Sequence, residues 1–430
     1  MLLFSILIGK FASLFIKTIL NRNASTWPGH IALESNPDFI KDTLSKNKGL
    51  KIVFIAGTNG KTTTTKALYH ILKTNRIDVV RNDSGANLLN GLASLIIKNS
   101  NLLGKINSKA LLFEVDENSF PLILKEIKNP NAIILLNLFR DQLDRYGEIN
   151  TTSQKWKSSL EKTDSKTSVI ANADDPQIID LAKCAKGKKI FYSINDDLKK
   201  EKKLSHAVDS TNCPNCQNKL EYSRISYSHI GNFSCSKCKF KNPDSIKLDI
   251  KTDLYGTFNT YNLTAAALCA ENLFDIKRSD SIQSLEDFKP AFGRQEKITY
   301  KNTELLLLLS KNPTGFNESL KVAINNKYKN LVFALNDKIP DGRDISWIWD
   351  VDFELLHRGN FHITITGERA YDLANRLSYA GLENLRVYED LSTAIKRAAK
   401  NTSNNQSIAI LPTYSAMLEI RKILTGKSIL

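Results

Sequence analysis

Short apolar runs of strand length recur along most of the chain, at 52–56, 110–115, 132–138 and 168–171. The text between them has helical spacing, as where Ala67, Leu68 and Leu72 fall on one face of a helix over 61–73. Buried strands alternating with helices predict a parallel sheet covered on both faces, and we assign 48–300 to one central α/β domain. Between about 197 and 250 the alternation gives way to lysine-rich, cysteine-containing text with tyrosines, too short for another layer. An insertion is expected there, at about 205–245. A new series of apolar runs at 305–309, 331–335, 361–365, 385–388 and 408–411 predicts a smaller Rossmann-like α/β domain over 301–430. The chain shows no internal repeat, and N-T-S-N-N-Q at 401–406 reads as a polar loop.

The first twenty residues are apolar but broken by Lys10 and Lys17, so no run of about 20 residues is left to cross a bilayer. The cations lie inside the stretch and no small-residue cleavage site follows, which argues against a signal peptide. The N-terminal segment 1–47 is instead expected to begin with an amphipathic helix that packs on the body or touches a membrane surface. Composition then narrows the class. With 42% hydrophobic and 24% charged residues, 19 Gly and 11 Pro in 430, the chain is an ordinary globular protein of two or three domains, which excludes disorder and collagen. Sixty Lys and Arg against 45 Asp and Glu leave a net charge of +15, suited to anionic ligands or surfaces.

The run 52–56 leads into Gly57-Thr58-Asn59-Gly60-Lys61-Thr62-Thr63 and then a helix, the setting in which backbone N–H groups and a helix N-terminus cradle phosphate. Lys61 is placed to reach β and γ phosphates, and Thr62 to hold Mg²⁺. The first Gly of the general G-x-x-x-x-G-K-[ST] pattern falls at Ile55, an imperfect match. Four of the six cysteines form a second motif. Cys213 and Cys216, then 18 residues, then Cys235 and Cys238 have the spacing of a tetrahedral Cys₄ zinc ribbon in a reducing compartment. Four thiolates leave no open position, so the zinc is expected to be structural, folding an insert too small for its own core. His229 is expected at the surface, not as a fifth ligand.

The spelling G-T-N-G-K-T-T resembles the phosphate loop of the Mur ligase and folylpolyglutamate synthetase superfamily, which makes amide bonds through an acyl phosphate. Further motifs follow in that family's order: L-L-F-E-V-D-E with Glu114, N-L-F-R-D-Q-L-D-R-Y-G-E-I from Asn137, N-A-D-D-P from Asn172, G-T-F-N-T-Y-N-L-T-A-A-A from Gly256, and G-R-Q-E from Gly293. The resemblance implies ATP and Mg²⁺ as cofactors. It assigns Glu114 to the metal, Asn259 and Asn262 to the adenine edge, and Arg294 to a phosphate or ribose. Gln142 stands where the family has a metal-binding His. Two departures stand out. Only 56 residues precede Gly57, too few for the family's nucleotide-sugar domain of roughly a hundred residues. The family's D-Y-A-H-x-P becomes L-L-S-K-N-P at 308–313, without the ribose-binding aspartate.

W-P-G-H-I-A at 27–32, D-G-R-D-I-S-W-I-W-D-V-D-F-E at 341–354 and L-P-T-Y-S-A-M-L at 411–418 extend the likeness. With the Cys₄ insertion they resemble, over nearly the whole chain, the Mur-ligase-like subunits of lipid II isoglutaminyl synthases. That resemblance implies ATP-dependent amidation of the α-carboxylate of D-glutamate in the lipid II stem peptide, within peptidoglycan synthesis. It also implies a heterodimer with a class I glutamine amidotransferase (GatD) that supplies ammonia, and a cytoplasmic site of action, peripheral at the inner membrane face. Neither remaining cysteine suits a glutaminase nucleophile, since Cys184 and Cys269 both lie in helical text. The resemblance further implies that Asp350, with Asp352 as the alternative, is lent to the partner's Cys and His. Asp350, Asp352 and Glu354 share one face if their segment is a strand and diverge if it is helical. Two other readings are an amino-acid ligase of the Mur or folylpolyglutamate type and a zinc-containing nucleic-acid-binding protein; nucleic acid is not expected.

Overall fold

Residues whose side chains are apolar on both faces of an extended run have one stable place, the middle of a parallel sheet. In the computed structural model, which describes residues 1–19, 24–82, 85–141, 149–195, 204, 208–289, 293–402 and 406–426, the central segment builds such a sheet. Its strands are β1 (Lys51–Ala56), β2 (Val79–Arg81), β3 (Ala110–Glu114), β4 (Ala132–Leu135), β5 (Ser168–Asn172), β6 (Lys189–Ile194) and β9 (Ile246–Leu248), in the order β2-β3-β1-β4-β5-β6-β9. Every pairing is parallel. Phe54, Phe113 and Ile133 fill the core on one face, and Val53, Ile55, Leu112 and Ile134 fill it on the other. The chain order reverses around β1, which lies between β3 and β4. The crevice beyond its carboxyl end is therefore where a doubly wound sheet takes its ligand.

The insertion between β6 and β9 contains the antiparallel hairpin β7 (Glu221–Tyr227) and β8 (Ile230–Ser234). The second sheet comprises β10 (Arg294–Tyr300), β11 (Thr303–Leu308), β12 (Asn330–Ala334), β13 (His362–Thr366), β14 (Arg386–Tyr388) and β15 (Ile408–Pro412), in the order β10-β11-β15-β12-β13-β14. It is parallel except for β10, which runs antiparallel to β11. β10 precedes the expected domain limit at 300/301 yet belongs to this sheet. The turn Lys301-Asn302, both at positive φ, makes a hairpin where the apolar pattern alone suggested a border. Of the expected polar loop at 401–406, Asn401 ends the helix Leu391–Asn401 and 403–405 lie outside the described residues.

The N-terminal segment forms three helices, Leu2–Thr18, Trp27–Ser35 and Phe39–Ser45. Ile6, Ala32, Phe39 and Ile40 join the core of the central sheet, so the segment is docked on the body. Close approach depends on small residues: a Cβ on Gly9 would sit 2.6 Å from Ile97 Cδ1, and one on Gly29 2.0 Å from the Asn90 carbonyl oxygen. Among the described residues no helix is long and apolar enough to cross a membrane.

Candidate active site

The loop Gly57–Gly60 joins β1 to the helix Lys61–Thr74, and its shape is imposed from three sides. Gly60 has φ +92°, and a Cβ there would lie 2.1 Å from Asn262 Oδ1. Only glycine allows the helix Thr257–Phe274, which carries Asn262, to close over the loop. Behind the loop, Asn137 accepts a hydrogen bond from the Asn59 N–H at 2.8 Å and donates to the Asn59 carbonyl at 3.0 Å. Thr58 exchanges hydrogen bonds with the Phe139 backbone at 3.0 and 3.1 Å. The segment after β4 is thus a brace for this loop.

Lys61 is buried. Its Nζ donates to the Gly57 carbonyl at 2.5 Å and pairs with Glu117 Oε2 at 3.1 Å. Thr62 donates to Glu114 Oε2 at 2.8 Å. Glu114 is buried, not solvated, and burial pushes its carboxyl up from the ordinary value, against the Thr62 hydrogen bond and the charges of Arg294 and Lys61. Burial likewise raises Glu117, opposed by Lys61 and Lys311. Glu117 Oε1 and Asp141 Oδ1 are buried with no hydrogen-bond partner among the described residues.

A cleft of about 760 Å³ opens over this loop between the two sheets. Asn59, Gly60 and Thr63 line it from the loop side, Asn259 and Asn262 from the helix above, and Arg294 from β10. Leu308, Thr314 and Glu318 close it from the second sheet and its following helix, Pro313–Asn325. The two halves are also bonded directly. Lys311 forms an ion pair with Asp141, and Asn312 Nδ2 donates to Asn59 Oδ1 at 3.1 Å. Burial pulls the Lys311 ammonium down, but Asp141 and Glu117 outweigh it and the net direction is up. The sequence reading assigns no site role to Lys311, Asn312, Glu117 or Asp141. The altered 308–313 segment carries the signal, because Lys311 places a cation there that calls for an acidic partner.

Asp350 lies at a neighbouring cleft of about 450 Å³ with Arg140, Asp141, Asn312 and Trp347, and its Oδ2 pairs with Arg140 at 3.0 Å. Its segment is two short 3₁₀ helices, Ser346–Asp350 and Phe353–Arg358, so the three carboxylates diverge. Asp352 accepts from Asn317 Nδ2 at 3.2 Å, and Glu354 pairs with Arg376 at 2.9 Å. Gln142 lies outside the described residues.

In the insertion, the sulfurs of Cys213, Cys216, Cys235 and Cys238 lie within 4.8 Å of one another. Cys213 to Cys238 and Cys216 to Cys235 are each 3.5 Å apart, near the roughly 3.8 Å edge of a tetrahedral zinc–thiolate site. The two cysteine pairs sit in matching turns. The Cys213 carbonyl accepts from Gln217 N–H and the Cys235 carbonyl from Lys239 N–H, and Gln217 and Lys239 both have positive φ. His229, expected at the surface, is fully buried, 4.8 Å from the Phe139 ring and 3.4 Å from Asp175 Oδ2. The hairpin folds back onto the brace of the Gly57–Gly60 loop, and Tyr227 from β7 lines the cleft over that loop.

Comparison with known proteins agrees with this geometry. Residues 55–270 match the Mur ligase middle domain and 309–417 the MurT ligase C-terminal domain. The subunit MurT of lipid II isoglutaminyl synthase (glutamine-hydrolyzing) from Staphylococcus aureus (strain COL) is 32% identical over 417 residues, covering 93% of this chain and 92% of that protein. The chain belongs to the MurT family. It is therefore a member of a Mur-ligase-like family of ligases. The MurT subunit from Streptococcus pneumoniae (strain ATCC BAA-255 / R6) is also 32% identical, over 97% of this chain and 96% of its own. Among solved structures, a pseudomurein peptide ligase type C from Methanothermus fervidus shares the fold with a TM-score of 0.70 at 23% identity, covering 92% of this chain and 83% of that one. MurF ligase from Thermotoga maritima, solved in complex with ADP, aligns with a TM-score of 0.61 at 15% identity, over 92% of this chain and 84% of its own.

Proposed function

We propose that this chain is the ligase subunit of a lipid II isoglutaminyl synthase, amidating the α-carboxylate of the stem-peptide D-glutamate with ammonia from a partner glutaminase of the GatD type. The observation that carries the reading is the cleft over the phosphate loop, lined by Asn59, Gly60, Asn259, Asn262 and Arg294, in a chain that matches MurT subunits over nearly its full length. ATP binds there, with its adenine edge toward Asn259 and Asn262 and its phosphates on the loop amides. A substrate carboxylate oxygen attacks the γ-phosphorus, the bond to the bridging oxygen breaks, and ADP leaves. Ammonia then attacks the acyl carbon, phosphate departs, and the extra proton passes to solvent. Lys61, released from Glu117, and Arg294 offset the phosphate charge.

Thr62 and Glu114 fit Mg²⁺, because a buried carboxylate beside a hydroxyl offers the hard oxygen donors that cation takes. When bound, it supplies charge neutralisation at the phosphate oxygens. The four thiols fit Zn²⁺ as a structural ion, and the docked hairpin then braces the nucleotide cleft through Tyr227 and His229. Neither Cys269 nor Cys184 suits a nucleophile that would release ammonia from glutamine, which supports a separate glutaminase. Cys269 is buried and its thiol is pushed up to about 12, and burial also raises Cys184. Asp350, which lines the second cleft, is proposed as the acidic group lent to the glutaminase.

The test is co-purification with the candidate glutaminase, then mass spectrometry of lipid II after addition of ATP, Mg²⁺ and glutamine. Glutamine-dependent amidation is expected. Release of ADP driven by an amino acid, without a glutaminase, overturns the reading in favour of an amino-acid ligase.

A further inference from the structure

The helix Leu2–Thr18 is docked by one narrow face and leaves the broader apolar one uncovered. Ser5, Ile6 and Gly9 are buried against the body, and Lys10 bends inward so that its Nζ donates to the Ile97 carbonyl at 2.9 Å. On the opposite side Phe4, Leu7, Phe11, Leu14 and Phe15 recur at three- and four-residue steps and form a single stripe. Phe4, Phe11 and Leu14 are 61%, 70% and 60% exposed, and Leu3 extends the stripe at its edge. The loop carrying exposed Leu102 and Leu103 lies against the first turn, since a Cβ on Gly104 would be 3.4 Å from both Leu2 and Ile6. Isolated exposed apolar residues need no explanation, but a continuous stripe held on a rigid frame does.

The charge around the stripe selects what covers it. Lys17 borders it on one flank and is exposed, whereas Lys10 on the same flank is turned inward. Lys46 reaches the Leu103 carbonyl at 3.4 Å, and Lys48 and Lys105 are exposed nearby in sequence. No Asp or Glu occurs before Glu34 or between Lys98 and Phe113. A protein partner of mixed surface charge would not require such one-sided composition, whereas the anionic face of a bilayer does.

We propose that the helix Leu2–Thr18 lies in the plane of an anionic membrane surface, its Phe and Leu stripe among the acyl chains and the exposed Lys17, Lys48 and Lys105 at the headgroups. The choice of a membrane over a protein rests in part on the proposed lipid-linked substrate. The helix holds the ligase on the surface where that substrate's reactive end emerges.

The experiment is flotation of the full chain with vesicles of phosphatidylglycerol and phosphatidylcholine at about 3:7, free of lipid II. The wild-type protein is expected to float with these vesicles and much less with phosphatidylcholine alone. F4E/F11E/L14E is expected to lose binding roughly tenfold or more without a change in melting temperature. If the glutamates unsettle the helix, F4A/F11A/L14A carries the test. Equal binding by folded variants, or no wild-type binding, overturns the proposal. So does a wild-type dimer that the variant converts to monomer by light scattering, or loss of the glutaminase from the variant, since either makes the stripe a protein interface. Amidation of a short-prenyl, water-soluble lipid II analogue should be the same in the variant and the wild type. Failure of the wild type in that assay sinks the ligase reading and leaves the vesicle result standing.

Discussion

A buried carboxylate that the fold itself disfavours points to a ligand that favours it. Glu114 and Glu117 both have carboxyls raised by burial. From the ordinary carboxylate range up to the raised value, the folded chain holds more protons than the unfolded one, so stability falls as pH rises through that window and stays lower above it. Glu114→Gln is therefore expected to raise the melting temperature by a few degrees near pH ~7.5 and to change little near pH ~4. It should also lower amidation by roughly a hundredfold or more. Calorimetry at the two pH values decides the point, and a lower melting temperature at neutral pH would make Glu114 a structural acceptor for Thr62. Lys61→Ala should abolish amidation and, by leaving Glu117 buried without its cation, cost about 3 kcal/mol at neutral pH. Urea melts of Lys61→Ala and of the double variant with Glu117→Gln check this, because the second change should return most of the loss.

Among the elements, the hairpin of the insertion packs against the segment that holds the Gly57–Gly60 loop. Tyr227 lines the cleft and His229 lies against Phe139, whose backbone holds Thr58. Cys213→Ser or Cys238→Ser is expected to lower bound zinc, read by elemental analysis, and to open the insertion to proteolysis. It should also weaken nucleotide binding about tenfold through the lost docking of β7 and β8. Unchanged protease resistance in a zinc-free variant would remove the ion's structural role. Gly60→Ala, forced to a positive φ and against Asn262, should cost roughly 1–3 kcal/mol and block nucleotide binding, measured by calorimetric titration. The strands of both sheets were legible wherever an apolar run marked burial on two faces, as at 52–56 and 331–335. β2, with only Val79 buried, and β10, half-buried along its length, carry too little apolar text for that signal. The burial of His229 comes from the hairpin folding back over Phe139, a tertiary contact that no local pattern records.

On the scale of the whole molecule, the two sheets meet across polar contacts, and those were the least legible part of the site. Lys311 with Asp141 and Arg140 with Asp350 join residues about two hundred positions apart, and each looks like a surface charge in its own segment. The Arg140 pair also bears on the proposed division of labour. Asp350 is about one-third exposed at a cleft that shares Asp141 and Asn312 with the closure between the sheets, so a glutaminase seated there would reach both the aspartate and the ligase site. A class I glutaminase needs an acidic group to fix the tautomer of its His and stabilise the charge that His gains. Asp352 and Glu354 are engaged by Asn317 and Arg376, on the side of the second sheet's own helices, whereas Asp350, paired with Arg140, is the one of the three that lines the cleft. Asp350→Asn removes the negative charge and keeps the shape. Because the pair with Arg140 is partly exposed, its loss should cost less than about 1 kcal/mol, and complex formation and ATP binding should persist. Glutamine hydrolysis by the complex is expected to fall by roughly a hundredfold or more, while added ammonium salts restore amidation of lipid II. Undiminished hydrolysis removes Asp350 from the glutaminase site. Failure of ammonium to rescue assigns it instead to the ligase half, where Arg140 and Asp141 would transmit the change to the phosphate loop.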